Sequence, residues 1–311
     1  MKKIATREAY GNALVKLGKE NENVVVLDAD LSKSTKTAGF KKEFPNRFFN
    51  MGIAEQNLIG AAAGLSTAGK IPFASTFAMF AAGRAFEIIR NSVCYPKLNV
   101  KICATHAGIT VGEDGASHQS VEDVAAMRSI PNMTVIVPAD GVEAEKVIFK
   151  VAEYNGPVYV RLGRSAVPTI FDESYEFEIG KGIEIKEGND ATVIACGIMV
   201  NEAIKAYEIL KEEGISLRVI NMPTIKPIDT DIIVKAAKET GAIITAEEHN
   251  VIGGLGSAVS EVLAENYPVP VKRVGVKDTF GESGTPNELL EKYGLTADEI
   301  VKAVKEVINK K

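Results

Sequence analysis

Short apolar runs that end in turns alternate along this chain with stretches of helical periodicity, and that alternation constrains the fold more than any other feature. Candidate strands fall at 24–29, 71–75, 100–104, 134–137 and 157–162. A second series at 191–196, 217–221, 242–245 and 271–274 alternates with helices over 201–213, 229–239, 255–266 and 297–308. Near-continuous apolar strands separated by helices build parallel sheets, because a strand returns to the same edge only through a long crossover. The fold class is therefore α/β with two domains, each a largely parallel sheet flanked by helices. Between Arg164 and Asp190 the alternation lapses into Pro168, an acidic DESYEFE run and the turn-like KEGND. This gap sets a first domain over 1–175 and a second over 185–311. Thr296 and Glu299 have capping-box spacing at the start of the last helix, and Gly214, Gly241 and Gly294 stand where helices should stop.

The bulk properties restrict what such a pair of domains can do. A chain of 311 residues, 46% hydrophobic and 25% charged, can bury a sizeable core. Lys and Arg total 36 against 41 Asp and Glu, a net charge of -5, with no basic run long enough to track a nucleic acid. Cys94, Cys103 and Cys196 are odd in number and form no CxxC pair, which argues against a disulfide framework and for a reducing, cytoplasmic setting. The N-terminal segment lacks an apolar export core and no apolar stretch is long enough to span a membrane.

In parallel α/β sheets ligands bind beyond the carboxyl ends of the strands. That rule collects Asp28 and Asp30, His106 with the GEDG turn at 112–115, and Arg161 with Arg164 onto one expected rim in the first domain. His106 and His118 lie twelve residues apart around that acidic turn, so one loop carries two imidazoles, a carboxylate and flexible backbone. The strand ends of the second domain, at Gly197, Met222-Pro223 and Glu247-Glu248-His249, offer less convergent chemistry. Glu55 begins a helix whose residues are almost all apolar or small, which reads as a buried helix. A buried carboxylate is costly without a partner, so Glu55 either interacts with its own helix terminus or shares a proton with a ligand nitrogen. Phe77 and Phe80 lie near one turn apart in a chain only 6% aromatic; they serve either as core or as a stacking platform for a flat heterocycle.

The runs THAGITVGEDGASHQ, NMGIAEQN, LDADLSKS and STFAMFAAG together resemble the pyrimidine-binding domain of transketolases, and residues 190–311 resemble their C-terminal domain. The resemblance covers essentially the whole chain but only the second half of a full-length transketolase. In that family the first half binds the diphosphate of thiamine diphosphate through Mg2+ and a Gly-Asp-Gly motif. No GDG occurs here, and GEDG belongs to the substrate loop in the resembling proteins. The resemblance thus implies the C-terminal subunit of a split transketolase, which moves a two-carbon ketol unit from a ketose phosphate to an aldose phosphate in the pentose phosphate pathway. It further implies an N-terminal partner subunit carrying the diphosphate and Mg2+ site, in an α2β2 assembly.

The resemblance also implies roles for individual residues. Glu55 matches the glutamate that hydrogen-bonds the aminopyrimidine ring of thiamine diphosphate, Phe80 the residue stacked on that ring with Phe77 nearby, and Asp30 a segment that approaches the cofactor. His106 and His118 match catalytic, substrate-facing histidines that bind hydroxyls or move protons. Asp114 matches a carboxylate that reads a sugar hydroxyl, while Arg7, Ser34 and Arg164 match a phosphate-binding set. None of these residues is assigned to the metal. Gly83 replaces a usual third aromatic, Ser117 replaces a threonine, and Gln56-Asn57 replaces the common His-Ala. The last feature also occurs in deoxyxylulose phosphate synthases, which share the domain pair, as does the β subunit of 2-oxo acid dehydrogenases. A noncatalytic scaffold or regulatory subunit is the alternative from a different class.

Overall fold

The computed structural model describes residues 3–311. In chain order the strands are β1 (Lys3–Ala5), β2 (Val24–Asp28), β3 (Phe48–Asn50), β4 (Ile71–Phe77), β5 (Lys101–Thr105), β6 (Thr134–Ile136), β7 (Val158–Arg161), β8 (Ala166–Pro168), β9 (Ile183–Lys186), β10 (Ala191–Ala195), β11 (Leu217–Asn221), β12 (Thr224–Lys226), β13 (Ile243–Asn250) and β14 (Val271–Val276). The larger sheet has the order β12-β6-β7-β5-β4-β2-β3, and β2 to β7 within it run parallel. The smaller sheet has the order β14-β13-β10-β11-β9, with only β9 antiparallel to its neighbour. β1 and β8 form a separate antiparallel ribbon. The strands expected from apolar runs are present with shifted ends. The missed ones, such as β3 and β12, are three residues long, too short to display a periodicity.

Strand burial follows the layered architecture. β2 and β5 are buried at every position, as expected for strands covered by helices on both faces. Helix termini follow the glycines: Gly241 caps its helix in the left-handed conformation, and Gly214 and Gly294 also have positive φ just after helices end. Thr296 caps the last helix by accepting from the Glu299 N–H at 3.4 Å, but the reciprocal box belongs to the preceding helix, where the Thr285 N–H donates to the Glu288 carboxylate at 3.0 Å. The Glu299 carboxylate pairs with Lys302 instead.

One expectation needs correction, and the domain boundary proves to be bridged by a strand. The helix Glu55–Thr67 is buried only on the face of Glu55, Leu58, Ile59, Ala62 and Ala63; Gln56, Asn57, Gly60 and Gly64 are exposed on the other. Gly60 and Gly64 made the whole helix look buried, because glycine carries no side chain to mark a face as polar. The gap at 175–185 also does not divide the molecule cleanly. β12 lies in the second sequence domain yet pairs antiparallel with β6 of the first sheet, Thr224 opposite Ile136 and Lys226 opposite Val135. The Val137 N–H donates to the Pro223 carbonyl at 2.7 Å, and Lys226 Nζ donates to the Arg128 and Ile130 carbonyls at 2.9 and 2.6 Å.

One apolar cluster accordingly runs from Leu58 and Ala62 through Met127 and Val135 to Ile220, Met222 and Val259, crossing from one sheet to the other. Beside it lies a buried polar seam. Arg161 Nε donates to both carboxylate oxygens of Asp123, at 3.1 and 2.9 Å, and a terminal nitrogen donates to the Ser120 and Glu248 carbonyls at 3.1 and 2.9 Å. The Tyr159 hydroxyl donates to Asp123 at 2.7 Å. Burial opposes charge on Asp123, but Arg161 outweighs it and holds the carboxyl below its usual range. Breaking such a pair strands a charge in the interior. Replacing Arg161→Met should therefore lower unfolding free energy by roughly 3–5 kcal/mol, with denaturant unfolding as the measurement; a loss below about 1 kcal/mol, the range of an exposed pair, would refute this account.

Candidate active site

The site is assembled at the carboxyl ends of β2, β4, β5 and β7. β4 ends in Phe77, and the next turn is a π-helical segment, Phe80–Arg84, whose wide winding aligns Phe80 with Arg84. The rings of Phe77 and Phe80 stack with centroids 5.7 Å apart at 18°. Phe77 stacks in turn on His106, centroids 3.9 Å apart, and His118 presents its ring edge-on to Phe80 at 5.4 Å. The phenylalanine pair and both imidazoles thus form one aromatic array. Glu55, 4% exposed, opens its helix against this array: Arg84 donates to both of its carboxylate oxygens at 3.2 Å, and the same guanidinium lies 4.4 Å from the Phe80 ring centroid.

His106 follows directly on β5 with φ of 55°, a left-handed conformation that costs a non-glycine residue about 1 kcal/mol or more. Gly108 then has φ of 80°, and a Cβ there would fall 2.3 Å from the Glu248 carboxylate. That carboxylate accepts from the Thr110 N–H at 2.7 Å, so a residue of β13 secures the loop from the other domain. Gln119 closes the loop: its amide NH2 donates to the carbonyls of Ile109, Gly112 and Glu282 at 3.2, 3.1 and 2.8 Å. Three carbonyls facing one amide fix its orientation, since the flipped amide would oppose oxygen to oxygen.

Arg7 donates to the Ser34 carbonyl at 2.8 Å and contacts His106 Nε2 at 3.2 Å. A guanidinium has only donors, so Nε2 accepts, and the neutral ring carries its proton on Nδ1, 2.9 Å from the Thr105 hydroxyl. Burial, then the positive charges of Arg7 and Arg164, push His106 down to about 3. It is a neutral hydrogen-bonding group near neutral pH, whereas a residue that shuttles protons there needs a value close to ambient. His118 is half-buried, with Nδ1 2.9 Å from the Ser117 hydroxyl. Arg164 is half-exposed and pairs with Glu113 at 3.3 Å and Asp114 at 3.8 Å.

Not every group expected on the rim reaches it. Asp28 is fully buried, accepting from the Leu31 N–H and from the Thr35 and Thr37 hydroxyls at 2.6, 2.6 and 2.9 Å. Arg161 lies in the polar seam. Asp30 is exposed at the end of β2, held by Asn50, whose amide donates to it at 2.8 Å. Ser34 contributes its carbonyl to Arg7. Sequence reasoning gave no role to Arg84, Thr105, Gln119 or Glu248. Only Arg84 had a local signal, lying four residues after Phe80 in the same run.

A buried carboxylate, two stacked phenylalanines, two imidazoles and the guanidinium groups of Arg7 and Arg84 are thus brought together. Residues 2–169 match the family model for the transketolase pyrimidine-binding domain, and residues 180–300 match that for the transketolase C-terminal domain. The chain belongs to the transketolase family. It is 58% identical to a protein of Methanocaldococcus jannaschii that bears the provisional name of a transketolase C-terminal section, over 98% of this chain and 96% of that one. It is 45% identical to a 6-deoxy-6-sulfo-D-fructose transketolase subunit of a Clostridium species, over 98% and 95% of the two chains. A solved structure described as a split gene transketolase, inactive β4 tetramer, superposes with a TM-score of 0.93 at 64% identity, over 98% and 99% of the chains. Among the described residues no helix is long and apolar enough to cross a membrane, and no cluster of three metal-ligating side chains occurs.

Because an unfolded imidazole protonates near an ordinary 6.5 and the folded His106 only near 3, stability linked to this ring is intact above 6.5 and is lost as pH falls toward 3. The ring carbon signals of His106 in 13C NMR should accordingly stay flat from about pH 5 to 8, and Arg7→Ala should bring a titration upward toward that window. A wild-type midpoint near 6.5 would overturn this electrostatic account.

Proposed function

We propose that this chain is the C-terminal subunit of a two-chain, thiamine-diphosphate-dependent transketolase of the cytoplasm, working with an N-terminal partner in an α2β2 assembly. The observation that carries the reading is Glu55, 4% exposed and joined through one guanidinium to the Phe80 ring. The residues fit the cofactor's aminopyrimidine, because a buried carboxyl group can share a proton with a ring nitrogen while an aromatic face receives the flat ring, and a flat cationic guanidinium already occupies that place. When bound, thiamine diphosphate supplies a nucleophilic carbon that holds the transferred two-carbon unit. Glu55 would hold a ring nitrogen by a hydrogen bond shielded from water, with Phe80 and Phe77 against the ring face and Asp30 at its edge. Mg2+ and the diphosphate belong to the partner in this reading.

His106 then acts as a fixed neutral hydrogen-bonding group for a substrate hydroxyl, leaving proton movement to the half-buried His118. Asp114 reads a second hydroxyl. Arg7 is lowered from its usual range first by burial and then by the positive charge of Arg164, a field that a bound anion would relieve. Two such guanidinium groups suit the tetrahedral anion at the far end of a ketose or aldose phosphate. The relative named for 6-deoxy-6-sulfo-D-fructose supports a tetrahedral anion in that place and leaves phosphate sugars of the pentose phosphate pathway as our reading of the substrate.

Mixing this chain with its N-terminal partner, thiamine diphosphate and Mg2+ should give ketol transfer from xylulose 5-phosphate to ribose 5-phosphate. In that mixture Glu55→Ala should cut turnover by about 100-fold or more, the lower range for loss of a positioned acid–base group. Full activity of Glu55→Ala would refute the assigned role. This chain assayed without the partner should give no transfer, and measurable turnover would refute the two-chain reading.

A further inference from the structure

Arg84 fills the place that the proposed function gives to the cofactor's ring. One of its terminal nitrogens is 3.2 Å from each Glu55 oxygen, while the guanidinium carbon lies 4.4 Å from the Phe80 centroid. The two contacts are the two that the aminopyrimidine would make. The two partners differ sharply in exposure: the Glu55 side chain is 4% exposed and that of Arg84 54%. Arg84 can swing into water at little cost, but Glu55 cannot be left buried without another donor. The exchange is therefore selective for a flat ligand whose ring nitrogen can share a proton with the carboxyl group and so replace the guanidinium.

Local geometry favours such an exchange. The Phe80–Arg84 segment is π-helical, and its backbone is held where Gln56 donates to the Arg84 carbonyl at 3.3 Å, so the side chain can move while its anchor stays. At position 83 a Cβ would meet only the movable Met79 methyl, at 2.9 Å, so this turn does not sterically exclude a side chain there. Arg84 covers one face of Phe80.

We propose, resting on the assigned cofactor site, that Arg84 is an internal stopper. It neutralises Glu55 and shields Phe80 in the chain by itself, and the incoming aminopyrimidine displaces it. Thiamine, which carries that ring without the diphosphate, is the probe, titrated into the full chain by calorimetry. Arg84→Ala should bind thiamine about 5-fold more tightly than the wild type, the ratio matching loss of one weak competing ion pair. Glu55→Ala and Phe80→Ala should bind it more weakly. In 15N NMR the Arg84 Nε–H should move toward the position of a solvated arginine as thiamine saturates the chain. Equal or weaker binding by Arg84→Ala, or an Arg84 signal unmoved at saturation, overturns the stopper, as does the absence of thiamine binding by every variant. Weakened binding by Phe80→Ala alongside an indifferent Arg84→Ala removes the stopper alone and leaves the ring site standing. The Glu55→Ala assay with the partner chain decides the proposed function separately.

Discussion

Arg161 is the residue on which the remaining architecture converges. It leaves the end of β7 pointing inward, and its Nε–H and one terminal NH2 group donate to Asp123, to the Ser120 carbonyl and to the Glu248 carbonyl. Asp123 opens the helix after the candidate loop, Ser120 ends that loop, and Glu248 belongs to β13 of the other sheet. One planar group thus fixes where the loop stops and where the second domain sits. A lysine could not do this, because a point charge lacks the fork that reaches three partners in one plane.

The loop between those anchors inherits its shape from both domains. Glu248 holds the Thr110 N–H, and a Cβ at Gly281 would fall 1.9 Å from the Gln119 side-chain oxygen, so the second domain presses on the loop at two places. Strain at His106 persists because these contacts over-determine the loop. The reward is orientation: the imidazole lies flat on Phe77 with Nε2 committed to Arg7. The second domain, which offered little convergent chemistry of its own, acts on the site by positioning residues of the first.

Much of this was legible from residue patterns, for identifiable reasons. The long parallel strands and the helices at 255–266 and 297–308 announced themselves because burial imposes a period on many successive residues. Glu55, Phe77, Phe80, His106 and His118 stood out as parts of motifs, and the fold does bring them close together. What stayed hidden depends on long-range geometry. Asp28 and Arg161 were expected on the rim because both lie at strand ends, yet whether such a side chain turns outward is decided by partners such as Thr35 and Asp123, remote in sequence from any strand pattern. His106 seemed suited to proton transfer until burial beside two arginines made it a neutral ring.

The antiparallel strand β12 has a consequence for how such a protein can be divided. Its three residues cover the outer edge of β6, which would otherwise offer unpaired N–H and C=O groups to any other extended chain. The first sheet therefore has one edge closed by the second part of the chain, and a first domain standing without that part would expose the edge to pairing with other extended segments.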